Sequence, residues 1–196
     1  IKKVLTGVST GRRILLLLIG WGFGGFLEGM AGFGTAVAIP AGILCGLGFS
    51  PIPATVACLV ANATPTAFGS VGIPTVTLAQ LTEISQGSLA WDTTVQLLPL
   101  ILITPFVMVI IEGKSVRALK GIWPITLASG IAFAVPELLA ARFLGAELPV
   151  IIGSVCSMAV TILMARKNPQ SREKEYLIGD KKQEEICQES ENRITI

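Results

Sequence analysis

The stretch that decides the fold runs from Gly20 to Gly34 and reads GWGFGGFLEGMAGFG. It contains a single acid, Glu28, and lies near the start of a hundred residues, Ile14 to Gly113, that hold no lysine or arginine. A basic-free, apolar segment of this length is typical of chain embedded in lipid, where a carboxylate is costly and usually functional. The glycines allow the backbone to leave the helix and to approach a ligand closely. The pattern predicts an ion or substrate site inside a membrane.

The composition of the whole chain also favours the membrane class. Hydrophobic residues make up 52% of the 196 residues, charged residues only 14%, and the mean hydropathy is +0.72. The chain has no histidine, which excludes histidine-based metal centres and imidazole proton relays. Its four cysteines have no CxxC spacing, so we expect neither a metal nor another cofactor. The net charge of +2 is small and the bases form no long run, so we expect the lipid bilayer, and no nucleic acid, as a partner.

Five apolar blocks divide the chain, at residues 14–49, 54–81, 95–111, 122–144 and 148–165. The last three blocks each match the roughly 17–25 residues of one spanning helix. The remainder, 166–196, holds seven basic and seven acidic side chains and predicts a polar cytoplasmic tail or central loop. We therefore expect a transmembrane transport domain over residues 1–165, followed by that polar segment. Because the chain begins without methionine, we expect it to be part of a longer protein.

The charges between the blocks predict which loops share a face of the membrane. Basic residues favour the cytoplasm, which places the loop 114–120 and the end at 166–167 inside, and the acidic loop 82–94 outside. By parity, the block 14–49 must then leave one face and return to it. Split at its glycines, this block has limbs of about 14–17 residues, or roughly 21–26 Å, shorter than the ~30 Å of hydrocarbon. This predicts a re-entrant helical hairpin with its tip at 28–34, and two short, tilted crossings are the alternative.

A second interruption lies in the block 54–81. The sequence Asn62-Ala-Thr-Pro65 is followed by a Gly-x-x-Gly-x-Pro pattern at 69–74. Proline removes a backbone donor and disfavours helix at the residue before it, so this block is predicted to be a discontinuous helix. Interrupted helices are the best sequence pointer to a transporter's binding site, although the hydroxyl of Thr64 could instead bond back to a helix carbonyl. The predicted fold class is an all-α integral membrane protein, a polytopic helical bundle with a re-entrant glycine-rich hairpin and a discontinuous helix.

The strings FLEGMAGFGTAVAIP at 26–40, ANATP at 61–65 and AFGSVGIP at 67–74 resemble the L-lactate permease family. The likeness is dense from about Gly20 to Thr82 and is only general from there on. The resemblance implies a multi-pass secondary transporter in the cell membrane that moves lactate, and often glycolate, into the cell with protons. It also implies an inverted-repeat architecture, of which this chain holds one half. The remaining half of the transporter, or a second copy, is then needed to complete the site.

The residues themselves suggest how a small anion and a proton could bind together. Since the basic-free stretch has no positive side chain, we expect the anion at half-helix N-termini and the coupled proton on Glu28. The predicted binding residues come from the hairpin tip and the broken helix: Glu28, Gly29, Gly32, Gly34, Thr35, Asn62, Thr64, Pro65 and Ser70. No nucleophile–base pair is visible, so we do not predict an enzyme. The alternatives are a non-transporting membrane scaffold or assembly subunit, and a sodium-coupled carboxylate transporter.

Overall fold

The computed structural model describes residues 11–32 and 34–167, and the helices are the main elements of this part. In chain order they are α1 Arg12–Met30, α2 Thr35–Gly46, α3 Pro51–Asn62, α4 Gly69–Thr82, α5 Gln86–Gly113, α6 Trp123–Phe143 and α7 Pro149–Lys167. Four of them, α1, α5, α6 and α7, are long and apolar enough to cross a membrane, and α3 with α4 would form a fifth crossing, bent by 56°. The described chain is thus a polytopic helical membrane protein.

Helix α1 runs through the glycines between 20 and 25 and ends at Met30, within the predicted tip. Its middle part, Leu16–Phe23, is π-helical, and Gly24–Met30 returns to α-helix. It has 19 residues and begins two residues before the apolar block 14–49. Glycine normally weakens a helix, but here a Cβ on Gly25 would lie 2.9 Å from the Phe133 ring. Close packing against neighbouring helices therefore compensates for the weak helix propensity.

Helices α1 and α2 form an antiparallel hairpin. Near the open end, Arg12 Nη2 donates a hydrogen bond to the carbonyl of Gly48, at 2.9 Å. Midway along, a Cβ on Gly24 would lie 3.4 Å from the carbonyl oxygen of Ala36. Helix α2 has only 12 residues, or about 18 Å, so the two limbs are unequal. Whether this hairpin re-enters the membrane or crosses it stays a prediction.

The discontinuous helix is present in the structure, and its sharpest break lies after Pro65. Ser70, Val71 and Gly72 take left-handed backbone angles, with φ of 49°, 58° and 76°. This conformation is unfavourable for residues with a Cβ and is rarely found in a run, so surrounding contacts must hold it. The regular part of α4 then starts at Ile73 and ends at Thr82.

Contacts between side chains and backbone bring the ends of several helices together at one end of the bundle. Arg12 forms a salt bridge with Glu112, at 3.2 Å between Nη2 and Oε1. Arg13 Nη1 donates to the carbonyls of Ala118 and Lys120, at 2.7 and 3.0 Å. Ile14, Ile125 and Ala165 form one buried cluster beside them. This end therefore joins the segments that charge parity assigns to a single face, and which compartment it faces stays a prediction.

The opposite end is formed by the turns 83–85 and 144–148. The Arg142 guanidinium lies 5.6 Å from the Trp91 ring centroid, and a Cβ on Gly145 would lie 3.6 Å from Gln86 Nε2. Helix α5 starts at Gln86, nine residues before the apolar block 95–111, because the Ser85 hydroxyl caps it by accepting from the Ser88 N–H. The blocks 122–144 and 148–165 correspond to α6 and α7. Of the predicted polar segment 166–196, two residues end α7 and the others lie outside the described residues.

Candidate functional site

A cavity of about 290 Å³ lies between the hairpin tip and the broken helix. Its volume is many times the ~30 Å³ that one water molecule occupies in the liquid, so a small organic anion fits with water beside it. It is lined by residues of α1, α3 and α4, by Gly34 just before α2, and by Thr66 in the turn between α3 and α4: Glu28, Gly34, Asn62, Thr66, Gly69, Ser70, Ile73 and Pro74. The two interruptions of the sequence therefore meet at one place.

Glu28 is the charged residue of this cavity. Its side chain is buried, with the residue 3% exposed, and its Oε2 has no hydrogen-bond partner in the described part of the chain. A Cβ on Gly69 would lie 2.6 Å from Glu28 Oε1, so the missing side chain at Gly69 makes room for the carboxyl. An acid in this position has an unused oxygen for a proton or for a ligand.

Two helix N-termini border the cavity. Helix α2 begins after Gly34, which has a φ of 86° and provides no side-chain cap. The regular part of α4 begins after Gly72, and its first residues, Ile73 and Pro74, line the cavity. Helix N-termini carry a partial positive charge. At the start of α2, the N–H groups of Thr35 and Val37 already donate to the carbonyls of Gly32 and Gly34, both at 3.1 Å, and Pro74 has no N–H. The two helix starts therefore offer a small anion a favourable electrostatic environment chiefly through the helix dipole, without a basic side chain.

Two polar side chains complete the cavity wall. The Ser70 hydroxyl donates to the carbonyl of Ala31, at 2.9 Å, and so ties the broken helix to the hairpin tip. Asn62 Nδ2 lies 3.4 Å from Thr66 Oγ1, whereas Asn62 Oδ1 is buried and has no partner among the described residues. Hydrogen bonds thus hold the two interruptions together, and an amide oxygen is left over.

Four of the predicted binding residues, Glu28, Gly34, Asn62 and Ser70, line the cavity. The others lie beside it and shape it. The Thr35 hydroxyl donates to the carbonyl of Gly32 across the tip, at 2.7 Å, and a Cβ on Gly32 would overlap Ser70. The Thr64 hydroxyl is buried and donates to the carbonyl of Ala61, at 3.2 Å, as the structural alternative for it predicted.

Gly29 and Pro65 also lie outside the cavity lining. A Cβ on Gly29 would lie 2.9 Å from Ile151, so this glycine packs α1 against α7. Pro65 is buried at the start of a short 3-10 turn, Pro65–Phe68. Both residues act on the backbone near the cavity rather than on a ligand: Gly29 through helix packing and Pro65 through the turn that it begins.

Sequence reasoning did not include Thr66, Gly69, Ile73 and Pro74 among the binding residues. Gly69 and Pro74 belong to the Gly-x-x-Gly-x-Pro pattern that predicted the break, so a signal existed for them. Thr66 follows Asn62 by four residues, about one helical turn. For the apolar Ile73, local sequence carries no such signal, because only the fold turns it toward Glu28.

The profile of the L-lactate permease family matches residues 1–195 of the chain. The chain belongs to the L-lactate permease family. It is 49% identical to an L-lactate permease of Streptococcus iniae over 92% of this chain and 38% of that protein. It is 42% identical to one of Bacillus subtilis over 81% of this chain and 28% of that protein.

The glycolate permease GlcA of Escherichia coli is a further relative, 36% identical over 85% of this chain and 30% of that protein. The chain thus spans between 28% and 38% of the length of these curated relatives. No solved structure matches it. Its relatives are named as permeases, which are transporters rather than enzymes.

Proposed function

We propose that this chain is part of a secondary transporter that takes up L-lactate, and glycolate or related 2-hydroxy monocarboxylates, together with protons. The observation that carries the proposal is the cavity in which a buried, unpartnered Glu28 lies near two helix N-termini. Since no lysine or arginine occurs between Ile14 and Gly113, the cavity suits an anion that is accompanied by a proton. The family membership and the names of the relatives support the substrate class.

Each part of the cavity has a role in this proposal. The carboxylate of lactate binds at the N-termini of α2 and of the regular part of α4, where the helix dipole provides partial positive charge. The buried oxygen of Asn62 accepts a hydrogen bond from the 2-hydroxyl group, while the Ser70 hydroxyl keeps its bond to the carbonyl of Ala31. Glu28 accompanies the anion in its protonated form, because an ionised carboxylate would repel it. The anion and the proton on Glu28 then cross together.

The chain is one portion of the transporter under this proposal. Residues 1–165 form a transport-domain portion with a re-entrant hairpin, and 166–196 form a cytoplasmic tail or central loop. The remaining half of the protein, or a second copy, supplies an inverted repeat that closes the site from the other side. The protein lies in the plasma or inner membrane, with the Arg12 end of the bundle toward the cytoplasm.

The proposal is tested with Glu28→Gln in the full-length protein, reconstituted in vesicles. Glutamine keeps the shape of a protonated carboxyl but never releases a proton. We expect lactate exchange across the vesicle membrane to continue, and uphill uptake driven by an inward proton gradient to be lost, because the proton and the substrate are no longer tied. Glu28→Asp should retain partial coupling with a shifted pH dependence.

Glu147→Gln is the matched control, since Glu147 is an exposed acid in the turn 144–148. Uphill uptake at the wild-type level by Glu28→Gln would remove Glu28 from the mechanism. A full-length wild-type protein that moves no lactate would support the scaffold alternative. Accumulation that follows a sodium gradient and ignores the proton gradient would support the sodium-coupled alternative.

A further inference from the structure

A second acid is buried in the bundle, away from the cavity lining. Glu137 lies on α6, the residue is 0% exposed, and neither Oε1 nor Oε2 has a hydrogen-bond partner among the described residues. The base of its side chain lies against α7, where a Cβ on Gly153 would be 3.2 Å from Glu137 Cβ. The proposed binding of lactate at the cavity makes no use of this carboxyl.

The elements packed against Glu137 provide no base to pair with it. Helix α7 has no charged residue between Pro149 and Ala165. Besides Glu137, α1, α5, α6 and α7 carry ionisable residues at their ends, namely Arg12, Arg13, Arg166 and Lys167. The other ionisable residues on these helices, in the described chain, are Glu28 at the cavity, the exposed Asp92, Glu112 in its pair with Arg12, Arg142 over the Trp91 ring, and the half-buried Cys156. Glu137 therefore has no charged partner to offset the loss of water.

The other polar side chains along the α6–α7 seam contrast with Glu137, because they are satisfied. Thr161 Oγ1 donates to Ser129 Oγ, and Ser157 Oγ donates to the carbonyl of Ser129, both at 2.9 Å. Thr126 bonds to the carbonyl of Ile122 on its own helix, at 3.1 Å. An unpaired carboxylate in such surroundings is costly, so Glu137 keeps its proton in this conformation. Buried ionisable groups of this kind in membranes are most often functional.

The glycine face of α1 presses on the helices around Glu137: a Cβ on Gly25 would lie 2.9 Å from the Phe133 ring and 3.5 Å from Ser154. Gly153, which adjoins Ser154 in sequence, lies against both Phe133 and Glu137. Glu28 belongs to the same segment of α1 and lies toward Gly69. A displacement of α1 would thus change the surroundings of Glu28 directly and those of Glu137 through Phe133 and Gly153.

We propose that Glu137 is a second proton-binding site, which takes up and releases a proton once in each transport cycle. The inference rests on the proposed function of the cavity. When the glycine face of α1 moves away from α6 and α7, water reaches the carboxyl. The O–H bond of the acid then breaks, its electron pair stays on the carboxylate, and the proton passes to water on the side that is open. Return of α1 requires the carboxylate to take a proton back.

The test uses Glu137→Gln in the full-length protein in vesicles, with Glu147→Gln as the matched control. We expect exchange of lactate to stay close to wild type, because binding and movement do not need this proton. Uphill uptake driven by a proton gradient should fall by roughly 5–150-fold, and the pH dependence of exchange should flatten. Uphill uptake and pH dependence that both match wild type would overturn the inference, since a structural carboxyl is replaced by its amide without loss.

Two further measurements keep the outcome decisive. If the wild-type protein accumulates no lactate, the proposed function itself fails, whatever the variant does. If Glu137→Gln does not reach the membrane, the wild-type protein is labelled with an apolar carbodiimide, which modifies protonated carboxyls, and the modified residue is located by mass spectrometry. We expect modification of Glu137 in acidic buffer that declines in alkaline buffer, and equal modification in both, or none in either, would overturn the inference.

Discussion

The described part of the chain falls into two regions, one with continuous helices and one with a break, and proline occurs inside continuous helices in both, since α2 continues through Pro40. In residues 86–167, Pro99 and Pro105 lie inside α5, and Pro136 lies inside α6, yet both helices continue. In residues 11–82, Pro65 lies beside a break at which Ser70 begins a left-handed run. Proline alone therefore does not interrupt a membrane helix. The break that begins at Ser70 differs in that contacts from other parts of the chain hold it open.

Tertiary contacts hold that break. The Ser70 hydroxyl bonds to the carbonyl of Ala31 in the hairpin tip, and Thr75 Oγ1 bonds to the carbonyl of Ala67, at 2.7 Å. Gly72 packs on the turn 144–148, where a Cβ would overlap the carbonyl of Ala146. The continuous helices thus support the broken ones, and the two regions form one unit. Four predictions test whether the continuous helices support the broken one.

The largest effect is expected at the ion pair that joins the regions. Arg12 and Glu112 are buried, with side chains 8% and 9% exposed. Arg12→Ala leaves a buried carboxylate without its partner, which costs about 3–5 kcal/mol of unfolding free energy. Denaturant unfolding in detergent measures the loss. The double variant Arg12→Ala, Glu112→Gln should recover part of it, and a single variant as stable as wild type would show that the pair does not connect the regions.

The next effect concerns the contact of Gly72 with the turn at Ala146. Alanine at this position would carry a Cβ in a left-handed conformation and would push against backbone, so Gly72→Ala should cost about 2–4 kcal/mol. Thermal unfolding and the amount of protein in the membrane measure it. Gly87→Ala is the control, because a Cβ at Gly87 meets nothing within 4 Å. Equal stability of the two variants would mean that the second region does not support the break.

Pro65→Ala should affect transport more than stability. Alanine restores a backbone donor and allows α3 to extend into the turn Pro65–Phe68, which displaces Asn62 and Thr66 in the cavity wall, while the unfolding free energy changes by about 1 kcal/mol or less. Lactate uptake and protein amount are measured side by side, with Pro99→Ala in the continuous α5 as the control. Normal uptake by Pro65→Ala would count strongly against Asn62 to Pro65 as part of the site.

The smallest effect is expected from single cysteines that report the orientation of the two ends. Ser50→Cys and Ser115→Cys should react with an impermeant thiol reagent from the cytoplasmic side only, and Ser88→Cys from the opposite side only. These three changes should leave uptake near the wild-type level, since their side chains lie away from the cavity lining. Reaction of Ser50→Cys from outside would refute the hairpin and the parity argument with it.

Local sequence was enough to predict several features of the molecule. The membrane environment followed from composition, and the two interruptions followed from glycine and proline, because those residues change backbone preferences wherever they stand. The family was identified from the strings around Glu28 and Asn62, and the family profile confirmed it. The glycines of α1, which weaken an isolated helix, pack here against neighbours such as Phe133.

The sequence by itself therefore determined where this protein lies, which family it belongs to and which segments leave the helix. Only the tertiary structure decided that the two interruptions meet, that Gly69 makes room for Glu28, and that Ile73 faces the same cavity. It also decided that Glu137, five residues from Arg142, has no hydrogen-bond partner among the described residues, while Arg142 lies over Trp91. The physical reason is distance along the chain: propensity and hydropathy act over one or two helical turns, whereas burial and pairing depend on residues far apart in sequence.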